Sequence, residues 1–500
     1  MTGITTFSFI RRGDHARGSN GQRRTHVTSV STPGAAEPPV AGPVGRSRPD
    51  PSTPRHAGPS KEGPGIRRVA VASCMGTTIE FYDFFIYGTA AALVFPTVFF
   101  PALGSTAGTV ASFATFAVAF IARPVGAMLF GHFGDRIGRK KTLISTLLLM
   151  GISTLLIGLL PGAETIGVAA PIILVLLRFA QGFAVGGEWA GATLLTAEYA
   201  PPGRRGLYAM FPQLGPAIAF ALSSGTFLFT GLALGDTNDA FLNYGWRIPF
   251  LLSIVLVGIG LYMRLAIEET PVFRADQEAR LRAEQEARRN APVAEVEAPR
   301  RLPFLDALRY QAKEIFLAGG ALAIMFAFFY MGTAYLTSYA TSELGFDRPF
   351  VLMVGIASSL VFGLAIVLSA LYSDRFGRKK VIMVSCAFSV VWALVLFPLL
   401  DTGSPIAFVL GMMITLAIFG IAYGPCGALL PEMFATRYRY TGAGLGYNFA
   451  GVLGGAIPPM IAAPLAASYG GIAIGIMLAG IGLVSLVCTA ALVETRNRAL

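Results

Sequence analysis

Two carboxylates and a phenol, Glu80, Asp83 and Tyr87, stand at positions i, i+3 and i+7 of an otherwise apolar stretch, with Phe84 beside them. At 3.6 residues per turn that spacing puts all three on one helix face. Two carboxylates so close cannot both ionise cheaply, so one of them is expected to take up and release a proton. Arg123, Arg178 and Glu188 interrupt apolar runs of their own. An ionisable group inside a membrane span costs roughly 3 kcal/mol on insertion scales, so those that persist are candidates for function. A guanidinium can take a carboxylate through two parallel hydrogen bonds. Arg178 is therefore the expected contact for an anion, with Arg123 the second. Glu188 joins Glu80 and Asp83 as a candidate proton carrier.

Such groups need apolar helices to hold them, and the composition supplies these. Of 500 residues 54% are hydrophobic and only 13% charged, too little polar surface to cover a water-soluble globule. A span needs roughly 20 residues with few charges. Such runs lie at about 69–93, 106–130, 142–160, 170–196, 207–233, 246–267, 315–340, 351–372, 381–400, 405–430, 441–465 and 472–493. The expected fold is therefore an all-α membrane protein of twelve transmembrane helices, six on each side of a long polar loop. If the spans alternate, Arg67, Arg68, Arg136 to Lys141, Arg204, Arg205, the loop from Arg274 to Lys313, Arg375 to Lys380, Arg437, Arg439, Arg496 and Arg498 share one side. The other side carries Glu164, Asp236, Asp239, Glu343, Asp347 and Asp401, with Arg348 its clear base. The positive-inside rule then places both termini in the cytoplasm, in a multi-pass protein of the cytoplasmic membrane. The net charge of +11 reports this topology and attraction to anionic lipid, not nucleic-acid binding.

The expected organisation is a basic tail over 1–66, a six-helix bundle over 67–267, a linker over 268–314 and a second six-helix bundle with a short tail over 315–500. The first tail is rich in Pro, Gly, Ser and Arg and has no signal-like apolar run. It is expected to be disordered, or an over-extended start of translation. The linker repeats Glu, Gln, Ala and Arg at helical spacing without an apolar stripe, as a solvated helix or tether does. Four cysteines scattered over four spans, and histidines confined to the tail except for His132, leave neither a disulfide framework nor a metal site expected. No cofactor is implied, and no nucleophile, metal or nucleotide motif suggests an enzyme.

Depth sorts the membrane charges. Glu80 and Arg123 differ by roughly 6 Å along the membrane normal at 1.5 Å per residue, a gap that an arginine side chain can close. A buried Glu80–Arg123 pair that only fixes helix packing remains an open alternative. Arg178 in the outer third and Glu188 in the inner third of one span are too far apart to pair with each other. Tyr82, Tyr87, Gln181, Tyr330 and Asn448 are further candidates for lining a ligand cavity, with Gln213, Tyr335, Tyr339 and Tyr447 behind them. Aromatic residues at helical spacing equally serve packing.

The string Gly131-His132-Phe133-Gly134-Asp135-Arg136-Ile137-Gly138-Arg139-Lys140-Lys141 is echoed about 240 residues later by Ser373-Asp374-Arg375-Phe376-Gly377-Arg378-Lys379-Lys380. Each copy joins two apolar runs, so the chain reads as a duplicated membrane half, the architecture of a secondary transporter. Asp135 lies near the end of a helix where the dipole disfavours a carboxylate, and needs a partner. Glu198 and Glu432, each followed seven residues on by Arg205 and Arg439, occupy equivalent places in the halves and suggest ion pairs that break and form during gating.

Gly131 to Leu143 is similar to the loop 2-3 signature of the major facilitator superfamily, and Asp374 to Lys380 to its second copy. The resemblance covers residues 67–500 and implies the major facilitator fold of two pseudo-symmetric bundles. It also implies a cytoplasmic latch in which Asp135, Arg136, Arg139, Asp374, Arg375 and Arg378 take part, Asp135 docking on helix 11 near Thr441. Ile79 to Gly88, Arg178 to Gly182 with Gly186-Gly187-Glu188, and Leu430 to Arg437 resemble the metabolite:proton symporter family, whose members import shikimate, 2-oxoglutarate, citrate, dicarboxylates, proline or betaine. Phe81 stands where many members carry Trp. The implied function is import of a small organic acid or zwitterion by proton symport through alternating access, by a monomer in contact with membrane lipids. An efflux antiporter on the same scaffold is the alternative, against which the membrane arginines weigh. A nutrient sensor would need a signalling domain that neither tail nor linker can form.

Overall fold

The computed structural model describes residues 66–137, 139–186, 188–201, 203–234, 239–266, 282, 303–435 and 439–496. The tail expected over 1–66, apart from Ile66, and most of the linker expected over 268–314 lie outside them. So do the side chains of 131–140 and of 198, and with them the expected roles of Asp135, Arg136, Arg139 and Glu198.

Among the described residues every regular element is helical. Before the linker the longer ones are α1 (Ile66–Leu93), α2 (Gly104–Ile137), α3 (Arg139–Leu159), α4 (Ala169–Val185), α5 (Glu188–Tyr199), α6 (Arg205–Leu234) and α7 (Ile248–Ala266). After it come α8 (Ala312–Tyr330), α9 (Leu336–Ser342), α10 (Arg348–Phe376), α11 (Arg378–Leu400), α12 (Pro405–Met433), α13 (Arg439–Ala450), α14 (Ile457–Tyr469) and α15 (Gly471–Ala491). Helices α8 and α9 run on through a π-helical turn at Met331–Tyr335, and α13 and α14 through another at Gly451–Ala456.

Among the described residues ten continuous helical stretches are long and apolar enough to cross a bilayer, and two apolar helices, Ile144–Leu159 and Ala169–Val185, are shorter. These two are the third and fourth of the twelve expected spans. The third lies within α3, whose first turn carries Arg139, Lys140 and Lys141. The fourth comprises α4 and α5, and Gly186 between them keeps a helical backbone conformation, φ −52° and ψ −28°. Large apolar side chains such as Phe229, Tyr262, Leu360, Phe388 and Val487 are exposed on the outside, as hydrocarbon rather than water requires.

Within the first set α1 packs on α6, α2 on α4, and α3 on α7; within the second α8 packs on α13, α10 on α12, and α11 on α15. The sets meet along two seams, α6 against α10 and α12, and α2 against α13 and α14. By order of span α2, α6, α10 and the run α13–α14 are the second and fifth helices of the two halves, and α12 is the fourth of the second, so the seams largely repeat the duplication seen in the sequence. Within the first set a proline shapes the contact of α1 with α6. Pro216 has no N–H to offer the Pro212 carbonyl one turn earlier, and the Thr77 hydroxyl of α1 donates to that carbonyl at 2.9 Å instead.

Candidate functional site

Residues three apart on a helix differ by about 60° around its axis, and α1 uses that angle to send its two carboxylates to different places. Glu80 faces the second helix set and lines a cavity between the sets. Asp83, 1% exposed, turns toward α3, α4 and α7. The Thr154 hydroxyl donates to Asp83 Oδ2 at 3.0 Å, Gln181 Nε2 donates to Thr154 Oγ1 at 2.6 Å, and Arg178 Nη1 donates to Gln181 Oε1 at 2.9 Å. A chain of polar side chains thus joins the arginine to the acid inside the first set. Arg178 is also close enough to Asp83 for their charges to interact. Asp83 Oδ1 has no hydrogen-bond partner among the described residues.

The two arginines are caged by rings. The Arg178 guanidinium lies 3.9 Å from the Tyr87 centroid, 4.3 Å from Phe84 and 5.0 Å from Phe116. Arg123 lies 4.6 Å from Phe84 and 4.7 Å from Phe120. Phe84 therefore faces both cations, each held by the ring quadrupole. Arg178 is fully buried in this cage, whereas Arg123 reaches the cavity.

Glu80, Phe81, Arg123, Gly186, Trp189, Tyr447 and Asn448 are the main lining of that cavity. Its volume is about 10 Å³, enough for a single water molecule. A metabolite enters only if the sets move apart. In this layer a cross-set bond runs from Asn448 Nδ2 to the Gly186 carbonyl at 3.1 Å. Gly186 is there because of backbone proximity: a Cβ on it would sit 2.0 Å from the Arg123 carbonyl oxygen. Gly186→Val is expected to push α2 from α4, displace Arg123 and lower the yield of monodisperse protein in detergent chromatography. Wild-type yield and melting temperature would remove that role.

The other expected residues fall as follows. The Tyr82 hydroxyl donates to the Pro249 carbonyl at 3.1 Å and Tyr87 to Thr115 Oγ1 at 2.7 Å, both inside the first set. Tyr330 is buried against Phe84, Phe116 and Phe120, with its hydroxyl toward Arg123 and Arg178. Tyr339 donates to Asp401 far from the cavity. Glu188 is buried and accepts from Thr146 at 2.5 Å.

At the end carrying the repeated loops, Asp374 accepts from the backbone N–H of Gly206 at 2.9 Å and of Leu207 at 3.0 Å, in the first turn of α6. A carboxylate there is favoured by the helix dipole, and Arg378 Nη1 donates to it at 2.7 Å. Glu432 lies 3.8 Å from Arg205 of the first set and 3.6 Å from Arg378, and accepts from the Thr495 hydroxyl at 2.7 Å. Arg439 is buried close by in sequence, and Arg375 is exposed over the Phe376 ring. At the opposite end Arg348 donates to the Leu93 carbonyl at 3.3 Å, again across the sets.

Sequence reasoning passed over Thr154, Trp189, Gly444 and Val185. Thr154 carries no charge to mark it inside a span. Trp189 directly follows the Gly186-Gly187-Glu188 string, and that adjacency was the available signal.

A family model described as sugar (and other) transporter matches residues 69–500. An inner membrane metabolite transport protein of Escherichia coli K12 is 43% identical over 438 residues, 87% of this chain and 95% of that protein. The shikimate transporter of the same strain is 39% identical, covering 81% of this chain and 89% of its own length. Its proline/betaine transporter is 31% identical, covering 87% and 85%. The crystal structure of a D-xylose-proton symporter superimposes with a TM-score of 0.67 at 19% identity, covering 87% of this chain and 99% of the other. A partially occluded inward-open xylose transporter from Escherichia coli gives 0.67 at 21% identity, covering 87% and 100%.

Proposed function

Because the chain belongs to the sugar (and other) transporter family of the major facilitator superfamily, among its metabolite transporters, we propose that it imports a small organic acid or zwitterion by proton symport through alternating access. It is a multi-pass membrane transporter and not an enzyme. The observation that carries the reading is the division of labour on α1. Glu80 opens on the cavity beside Arg123, while Asp83 lies behind it on the polar chain to Arg178. Arg123 and Asn448 hold the substrate carboxylate, Asp83 carries the proton with Glu80 coupling it to the cavity, and Arg178 balances Asp83. Asp374, Arg378, Glu432 and Arg205 are the gate at the cytoplasmic end, where Arg204, Arg205 and Arg375 to Lys380 cluster.

The energetics favour symport over uniport. A monoanion entering against 100 mV, inside negative, is opposed by roughly 2.3 kcal/mol, about a fortyfold exclusion, and one co-transported proton cancels its charge. Proteoliposomes given labelled shikimate, 2-oxoglutarate, citrate or betaine under an inward proton gradient are expected to concentrate at least one of them, and a protonophore to collapse the gain. Equilibration without concentration would refute proton coupling. Failure with every substrate would refute the substrate class.

A further inference from the structure

Trp189 of α5 and Tyr447 of α13 stack face to face across the two helix sets, centroids 3.7 Å apart and planes 11° from parallel. Both are buried and both line the cavity. Each is held by its edge. Trp189 Nε1 donates to Gln213 Oε1 at 3.1 Å, Gln213 Nε2 donates to the Tyr423 carbonyl at 3.1 Å, and the Tyr423 and Tyr447 hydroxyls lie 3.2 Å apart. Four residues from four helices, two in each set, close a ring.

Depth places the ring between two features already described. Counted from the loop-motif end of each helix at 1.5 Å per residue, Gln213, Trp189, Tyr423 and Tyr447 lie roughly 12 to 15 Å in, and Glu80 and Arg123 about 21 Å in. The Asp374 and Glu432 cluster lies within the last turn. At van der Waals separation nothing passes between the stacked rings. A near-sandwich is also not the arrangement that ring quadrupoles prefer, so the edge hydrogen bonds, more than mutual attraction, hold the pair together. Such a contact is built to part.

We propose that Trp189 and Tyr447 are a thin inner gate, which seals the Glu80 and Arg123 cavity from the motif end and opens separately from the ionic cluster. The inference rests on the alternating-access reading and assigns to that path a barrier of its own.

Val185 lines the cavity one helical turn before Trp189 and serves as a reporter. Val185→Cys in the full chain is labelled with a membrane-impermeant maleimide in inside-out and right-side-out vesicles, and labelling of the parent cysteines is subtracted. Trp189→Ala and Tyr447→Ala are each expected to raise the labelling rate from the motif end about tenfold, the scale set by losing one aromatic stack. Trp189→Phe keeps the plate and raises it less. Gln213→Leu leaves both rings in place, removes their edge support and gives a rise even if an alanine variant folds poorly. Unchanged labelling in these variants, with the reporter fully reactive after denaturation, overturns the gate. Labelling needs no substrate, so the two readings fail separately. Faster labelling without proton-driven uptake keeps the gate and removes symport; unchanged labelling with intact uptake does the reverse.

Discussion

Asp83→Asn is expected to abolish accumulation of substrate against its gradient while leaving exchange of substrate across the membrane. Asparagine keeps the shape of the side chain, and its carbonyl oxygen still accepts from Thr154, which donates to Asp83 at 3.0 Å. The polar chain to Arg178 therefore survives, but the site can no longer bind or release a proton, and Arg178 loses the negative charge with which it interacts. Without the proton a monoanion again faces an opposing term of roughly 2.3 kcal/mol at 100 mV, so its internal level falls to about one-fortieth of the external one. Exchange moves equal charge both ways and feels no such term. Proton-driven uptake and counterflow, measured on the same liposomes, separate the two. Accumulation retained by Asp83→Asn would move the proton to Glu80 or Glu188.

The contrast with Glu80 shows how far the sequence could be read. Helical spacing put Glu80, Asp83 and Tyr87 on one face, and they do share a broad one. Yet the angle of about 60° between the carboxylates is enough, at a boundary between two helix sets, to give one to the cavity and the other to the interior. Which side that boundary falls on depends on packing partners distant in sequence, and a single helix does not encode it. The same limit applies to Arg178 and Arg123. Both are conspicuous as charges in apolar runs, but only the neighbouring rings, drawn from α1 and α2, determine which guanidinium is enclosed. Fold and duplication were legible because apolar length and the repeated loop string are local signals. The span order was legible too. Trp189 was not, since nothing local tells a tryptophan that stacks across the sets from one that packs within a set. Asp374 shows the repeat at its most informative. Its capping of α6 gives the geometry that the resemblance implies for Asp135 on helix 11, in the copy whose side chains are described.

Arg123→Lys and Arg178→Lys should fail in different assays, although both keep a positive charge. Arg123 lines the cavity, where, on the proposed function, a substrate carboxylate meets its guanidinium as the sets part. Lysine offers a point charge in place of a planar fork and stacks less well on Phe84 and Phe120. A charge-assisted hydrogen bond is worth about 1.5 to 3 kcal/mol, so the KM for uptake should rise about tenfold to a hundredfold, with the maximal rate less affected. Arg178 is fully buried between Tyr87 and Phe84 and touches Gln181, not the cavity. Its replacement should leave KM near the wild-type value and lower the accumulation ratio, because the charge balancing Asp83 is no longer fixed by the Gln181 contact and the rings. Initial rates over a range of substrate concentrations, together with steady-state accumulation, give both quantities for each variant. A large KM effect at Arg178 with none at Arg123 would reverse the assignment. The substrate would then have to reach into the aromatic cage, and the cavity between the sets would be only its antechamber.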